Sequence, residues 1–198
     1  MNWALALTLL RLALAPVVVT LGLTRGSGVA VAILLVIGFL SDVFDGVVAR
    51  RTGTATPILR RLDSMVDTVF YLGIAVAAWM LHRAELRPLL PLMLLVTGTE
   101  FATNALCWLR FRREASYHAW SARLFGVVLF AGLLLLFATG SRALIVPAIV
   151  LGLLSHLENA AITFVLPEWR HDVRSLLAAW RIRQAQARAG VETPVTAG

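Results

Sequence analysis

The chain has 198 residues, 59% hydrophobic and 15% charged, against roughly a quarter charged in ordinary soluble proteins, which argues against a soluble enzyme. All 18 basic residues are arginine, which removes mechanisms built on a Schiff-base, P-loop or acyl-transfer lysine. A net charge of +7 on so apolar a chain points to an anionic lipid surface or a phosphorylated substrate, and with no basic hydrophilic domain there is no nucleic-acid partner. The single cysteine, Cys107, permits neither an intrachain disulfide nor a cysteine-built metal site.

Charge-free runs at 12–24, 26–41, 68–82, 88–99, 124–141 and 143–157 set the organisation. Crossing a bilayer takes about 20 mostly apolar residues, so the runs predict membrane helices near 3–23, 28–48, 63–82, 88–109, 121–139 and 142–166. The first reads as retained and not as a cleavable signal, because no basic region precedes it and Arg11 interrupts it. Arginines then cluster between helices 2 and 3 (Arg50, Arg51, Arg60, Arg61), between helices 4 and 5 (Arg110, Arg112, Arg113, with Arg123 just beyond) and in the tail, leaving only Arg25, Arg83, Arg87 and Arg142 opposite. The positive-inside bias therefore predicts that both termini and both rich loops are cytoplasmic. Trp3, Trp79, Trp108, Trp120 and Trp169 fall near the proposed helix ends, where amphipathic rings favour the headgroup layer. The tail at 170–188 reads as a basic amphipathic helix on the membrane surface, and 190–198 as disordered. With no repeat and no separate soluble domain, the expected organisation is a catalytic membrane domain over 1–167 and a cytoplasmic tail over 168–198. The fold class is all-α, an integral membrane bundle of six transmembrane helices with its active site on the cytoplasmic side.

The chemistry concentrates between Asp42 and Asp67, a segment holding four of the five aspartates. Asp42 and Asp45 are three apart near the inner end of helix 2, and Asp63 and Asp67 are four apart at the start of helix 3, so each pair shares a helical face. A short connection makes the two helices antiparallel neighbours whose carboxylate pairs can face each other. Four carboxylates that close raise one another's pKa, so the group calls for protons or cations. Hard divalent ions such as Mg²⁺ or Mn²⁺ suit an all-oxygen site, and two of them can clamp the attacking and leaving oxygens of a phosphoryl transfer. The bland alternative is a boundary network with Arg50, Arg51, Arg60 and Arg61; the cost of four intramembrane carboxylates favours the functional reading. Gly46 and Ala49 leave a groove on helix 2 for a ligand or a neighbouring helix, beside the phosphate-suited donor fork of Arg50.

The pattern D-x2-D-G-x2-A-R-x8-G-x3-D-x3-D is the signature of the CDP-alcohol phosphotransferases, and the chain resembles it at Asp42, Asp45, Gly46, Ala49, Arg50, Asp63 and Asp67. The spacing matches throughout, with Leu59 in the place of the second glycine, which in the family helps line the nucleotide pocket. The segment TLLRLALAP at 8–16 also looks like the family's first helix. The resemblance implies transfer of the phosphatidyl group of CDP-diacylglycerol to an alcohol, with release of CMP. It implies two divalent cations on Asp42, Asp45, Asp63 and Asp67, with Asp67 as the general base. Gly46, Ala49 and Arg50, with Asp45, would hold the CDP moiety. It further implies a homodimer in a bacterial inner membrane, and the expected subtype is phosphatidylglycerophosphate synthase-like.

For the acceptor, Arg110, Arg113 and Arg123 are the candidates, suited to a phosphorylated alcohol such as glycerol 3-phosphate or an inositol phosphate; contact with anionic lipid is the alternative. Tyr117 and His118 lie among them. Glu100 and Asn104 in helix 4, and His156, Glu158 and Asn159 in helix 6, either line an acceptor cavity or bond helices together. Two other readings are a cation or proton transporter using the aspartates, and an impaired structural relative suggested by Leu59. Transport predicts ion ligands near the bilayer midplane, whereas these aspartates gather at one edge, which favours the enzyme.

Overall fold

The structure is a computed structural model that describes residues 3–52, 56–113, 117, 119–170 and 172–191. Among these residues every regular element is a helix: α1 (Trp3–Leu23), α2 (Gly28–Thr52), α3 (Pro57–Leu81), α4 (Arg83–Leu86), α5 (Leu90–Phe111), α6 (Trp120–Thr139), α7 (Ile145–Val165) and α8 (Leu176–Val191). Six of them, α1, α2, α3, α5, α6 and α7, carry segments long and apolar enough to cross a membrane.

The expected spans fit these helices, with one informative exception. Helix α3 begins at Pro57, six residues before the predicted start at 63. Thr56 is its N-cap, with Oγ1 accepting the Leu59 N–H at 3.2 Å, and Pro57 supplies a preset first turn. Asp63 and Asp67 thus sit in the second and third turns, not at the helix start. Further along, a single turn of α4 and a 3₁₀ turn at Arg87–Leu89 lead into α5. Helix α5 stops where Arg112 takes a left-handed conformation (φ 56°) and its N–H reaches the Trp108 carbonyl at 2.7 Å.

The described chain divides into two compact units, residues 1–88 with 133–142, and residues 89–132 with 143–198. In the first unit, α1 packs along both α2 and α3, which touch each other only lightly. Asp42 of α2 does face Asp63 and Asp67 of α3, as the sequence predicts, but α1 carries most of the packing that holds the two helices. Apolar helices in lipid associate where small residues allow close approach, and α1 and α3 supply them. A Cβ at Gly22 would stand 2.7 Å from the Ala77 Cα, and Gly73 faces the Ala15 carbonyl. Val18, Phe70, Ile74 and Ala77 are fully buried along this contact or beside it. Gly38 of α2 lies against the Phe70 ring, leaving no room for a side chain.

In the second unit, α5 packs on α7, where Gly152 admits Val96 and Phe125. A compact cluster of Cys107, Tyr117, Ile162, Leu166, Val173 and Ala179 ties the ends of α5 and α7 to α8. The tail helix is therefore docked on α7 by one face, while Leu177 and Trp180 remain exposed on it. The predicted disordered end at 190–198 falls largely on 192–198, which lie outside the described residues.

Candidate active site

Three helices of the first unit bring the site together at one end. Asp42 and Asp45 lie on α2, Asp63 and Asp67 on α3, and Thr8 and Arg11 on α1. At 1.5 Å per residue, these positions lie roughly 8–15 Å in from the helix ends nearest them, a similar depth on all three helices. Antiparallel succession of α1, α2 and α3 alone puts the start of one helix beside the end of the next.

Asp42, Asp63 and Asp67 each offer a carboxylate oxygen within 4.8 Å of the others. Their side chains are 36%, 30% and 27% exposed, whereas that of Asp45 is 6% exposed. Asp45 stands behind the trio, its Oδ2 3.4 Å from the Thr8 hydroxyl; the same hydroxyl is 3.5 Å from Asp63 Oδ1. A set of hard carboxylate oxygens with neither sulfur nor imidazole fits Mg²⁺ or Mn²⁺ better than zinc. The donor set therefore fits a divalent cation, as the sequence predicts for these aspartates.

Arg11 is what the sequence reading did not anticipate. Its side chain is fully buried within a segment apolar enough to span a membrane. Nη1 reaches Asp42 at 3.1 Å and also contacts Asp67, while Nη2 contacts Asp45 and Asp63. A guanidinium cannot shed its charge by deprotonation, and burying it demands paired, hydrogen-bonded anions. One arginine against four carboxylates still leaves a strongly anionic pocket. The signal that could have found these two residues is a threonine and an arginine one turn apart in an apolar helix, where polar groups require partners.

The remaining candidates distribute as follows. Gly46, Ala49 and Arg50 lie in the last two turns of α2, but their side chains, like His118, lie outside the described residues. Leu59 is half-buried in the first turn of α3, where the cap uses only its N–H. In the second unit, Arg110 donates to the Leu166 carbonyl at 3.1 Å and sits over Phe111. Arg112, Arg113 and Arg123 are exposed and stack on Trp108, Trp169 and Trp120 at 4.7–4.9 Å. Arginine on a tryptophan face at helix ends suits a headgroup layer.

Glu100, Asn104, Tyr117, Ser155, His156 and Asn159 line a cavity of about 270 Å³ within the second unit. His156 is fixed by its Nδ1 on the Thr99 hydroxyl at 3.0 Å, and Asn159 Oδ1 is buried without a hydrogen-bond partner among the described residues. Burial pushes the Tyr117 phenol up to about 12, so it stays protonated beside Thr163 and Cys107. Glu158 does not line that cavity: it accepts from Ser121 and from the Leu176 N–H, tying α6 and the start of α8 to α7.

Comparison with curated proteins and with solved structures finds no match. Comparison with protein families does: the model for CDP-alcohol phosphatidyltransferase matches residues 1–165, all six apolar helices included.

Proposed function

Because the chain belongs to the CDP-alcohol phosphatidyltransferase family, whose members are phosphotransferases, we propose that it moves the phosphatidyl group of CDP-diacylglycerol to glycerol 3-phosphate and releases CMP. The observation that carries the reading is the convergence of Asp42, Asp63 and Asp67 within 4.8 Å, with Asp45 and Arg11 behind them. Such transfer needs charge neutralisation and in-line positioning more than covalent help from the protein.

Asp42, Asp45, Asp63 and Asp67 would hold two divalent cations, Mg²⁺ or Mn²⁺. The cations, when bound, neutralise phosphate oxygens and stabilise the leaving group. Asp67 is accessible enough to meet an acceptor and takes the proton of its hydroxyl. The freed oxygen forms a bond to the phosphorus that carries diacylglycerol; the bond from that phosphorus to the bridging oxygen breaks, and its electrons leave with CMP. Gly46 and Ala49 keep α2 thin beside the nucleotide, and Arg50 reads its phosphates. The acyl chains stay in lipid while the nucleotide meets the cytoplasm, where we place the site and both termini. Arg110, Arg113 and Arg123 supply the basic surface that draws a phosphorylated acceptor. An inositol phosphate would use the same charges and is the second candidate.

The test is CMP release from CDP-diacylglycerol by purified protein with Mg²⁺ or Mn²⁺, across glycerol 3-phosphate, inositol phosphate, inositol and serine. Metal-dependent release stimulated by glycerol 3-phosphate alone is expected. Stimulation by another acceptor would replace that substrate and keep the reaction, and no release from folded protein with any acceptor would remove the activity.

A further inference from the structure

Arg11 puts a positive charge where the proposed reaction also needs divalent cations. Its guanidinium has no exposed surface, and its two terminal nitrogens contact all four carboxylates. Three of those groups, Asp42, Asp63 and Asp67, are also the ones whose oxygens lie close enough together to hold an ion. Arg11 holds one oxygen of each of these three carboxylates, Oδ1 of Asp42, Asp63 and Asp67, so an ion drawn to the same oxygens at about 2.1 Å competes with the guanidinium for their lone pairs. The two cations also repel across a pocket of low dielectric. Simultaneous occupancy is disfavoured on both counts. Nε has no hydrogen-bond partner among the described residues, so the ion pairs of the two terminal nitrogens are the contacts that an incoming cation would have to exchange.

We propose that Arg11 and the divalent cations are alternative counter-charges for one set of carboxylates, so that loading the site displaces the guanidinium from Asp42, Asp63 and Asp67. The inference rests on the metal-dependent reading above. Arg11 is then a positioning residue: it holds the carboxylates together before loading and sets how tightly cations bind. A purely structural arginine would do the first and not the second.

The experiment is Mn²⁺ binding to the purified full-length chain in lipid nanodiscs without nucleotide, read by electron paramagnetic resonance. Arg11→Gln, shown folded by size exclusion, is expected to bind Mn²⁺ at least tenfold more tightly than the wild type. Equal or weaker binding in the folded variant overturns the exchange while leaving the metal site standing. Where Arg11→Gln does not fold, the wild type decides. With ¹³Cζ-labelled arginine, the resonance lost in Arg11→Lys should move on Mg²⁺ titration, and a resonance that stays fixed at saturating Mg²⁺ overturns the proposal. Mn²⁺ binding that is absent from the wild type, or unaffected by Asp63→Asn, removes the metal reading and the exchange with it.

Discussion

Asp67 and Asp45 are chemically identical side chains with different surroundings, and the surroundings separate their roles. Asp67 keeps a path to solvent, whereas Asp45 is enclosed by Arg11 and Thr8. Asp67→Asn is therefore expected to lower transfer by about 10²–10⁴-fold, the usual worth of a general base, while CDP-diacylglycerol binding stays largely intact. Near-normal turnover in that variant would remove Asp67 as the base. Leu59 poses a different question, because its N–H serves the Thr56 cap whatever side chain it carries. Leu59→Gly should change the affinity for CDP-diacylglycerol more than that for the acceptor, beside a helix-propensity cost of about 1 kcal/mol. Binding isotherms showing equal changes for both ligands would take Leu59 away from the nucleotide.

The helices owe their positions to small contacts that their hydropathy does not reveal. At Gly22 the α1 backbone rests on Ala77 of α3, with backbone atoms as the nearest neighbours, so nothing flexible can give way. Gly22→Ala should cost about 1–3 kcal/mol, the usual range for overpacking, and lower the midpoint of thermal unfolding in detergent; an unchanged midpoint would show that α1 and α3 can separate freely there. Glu158 acts likewise between elements, receiving Ser121 and the first N–H of α8. A carboxylate at a helix start is favoured by the unpaired N–H groups and the dipole there. Glu158→Ala should release α8, seen as faster proteolysis between residues 166 and 176, at a cost of about 1.5–3 kcal/mol for the lost charged hydrogen bonds.

Six helices among the described residues are able to cross a membrane, an even number that would put both termini on one side, and the arginine distribution makes the cytoplasm the expected side. Reporter fusions at residues 1 and 198 are expected to show both ends inside; opposite sides would require one of the six spans to fail. Cation loading should register on the whole chain, since a ligand that binds only the folded state stabilises it by about 2.7 kcal/mol at a hundredfold excess over its Kd. Mg²⁺ or Mn²⁺ should accordingly raise the unfolding midpoint of the wild type and not of Asp63→Asn. A rise of equal size in both would place the ion elsewhere.

The helices themselves were legible in the sequence because bilayer thickness and hydropathy act on each segment separately. The aspartate pairs were legible for a related reason: residues three or four apart share a helical face whatever the rest of the chain does. The start of α3 was local too, but its mark was the Thr56–Pro57 cap, not the apolar run that set the predicted boundary. What only the tertiary structure decided was which helix lies between which. A transmembrane helix has no water to exclude, so its partner is chosen by fine steric fit at residues such as Gly22, Gly73 and Ala77, not by a hydrophobic pattern. That fit places α1 against both α2 and α3. It thereby turns Arg11, an interruption when read along the chain, into the counter-charge of four carboxylates 31 to 56 residues away.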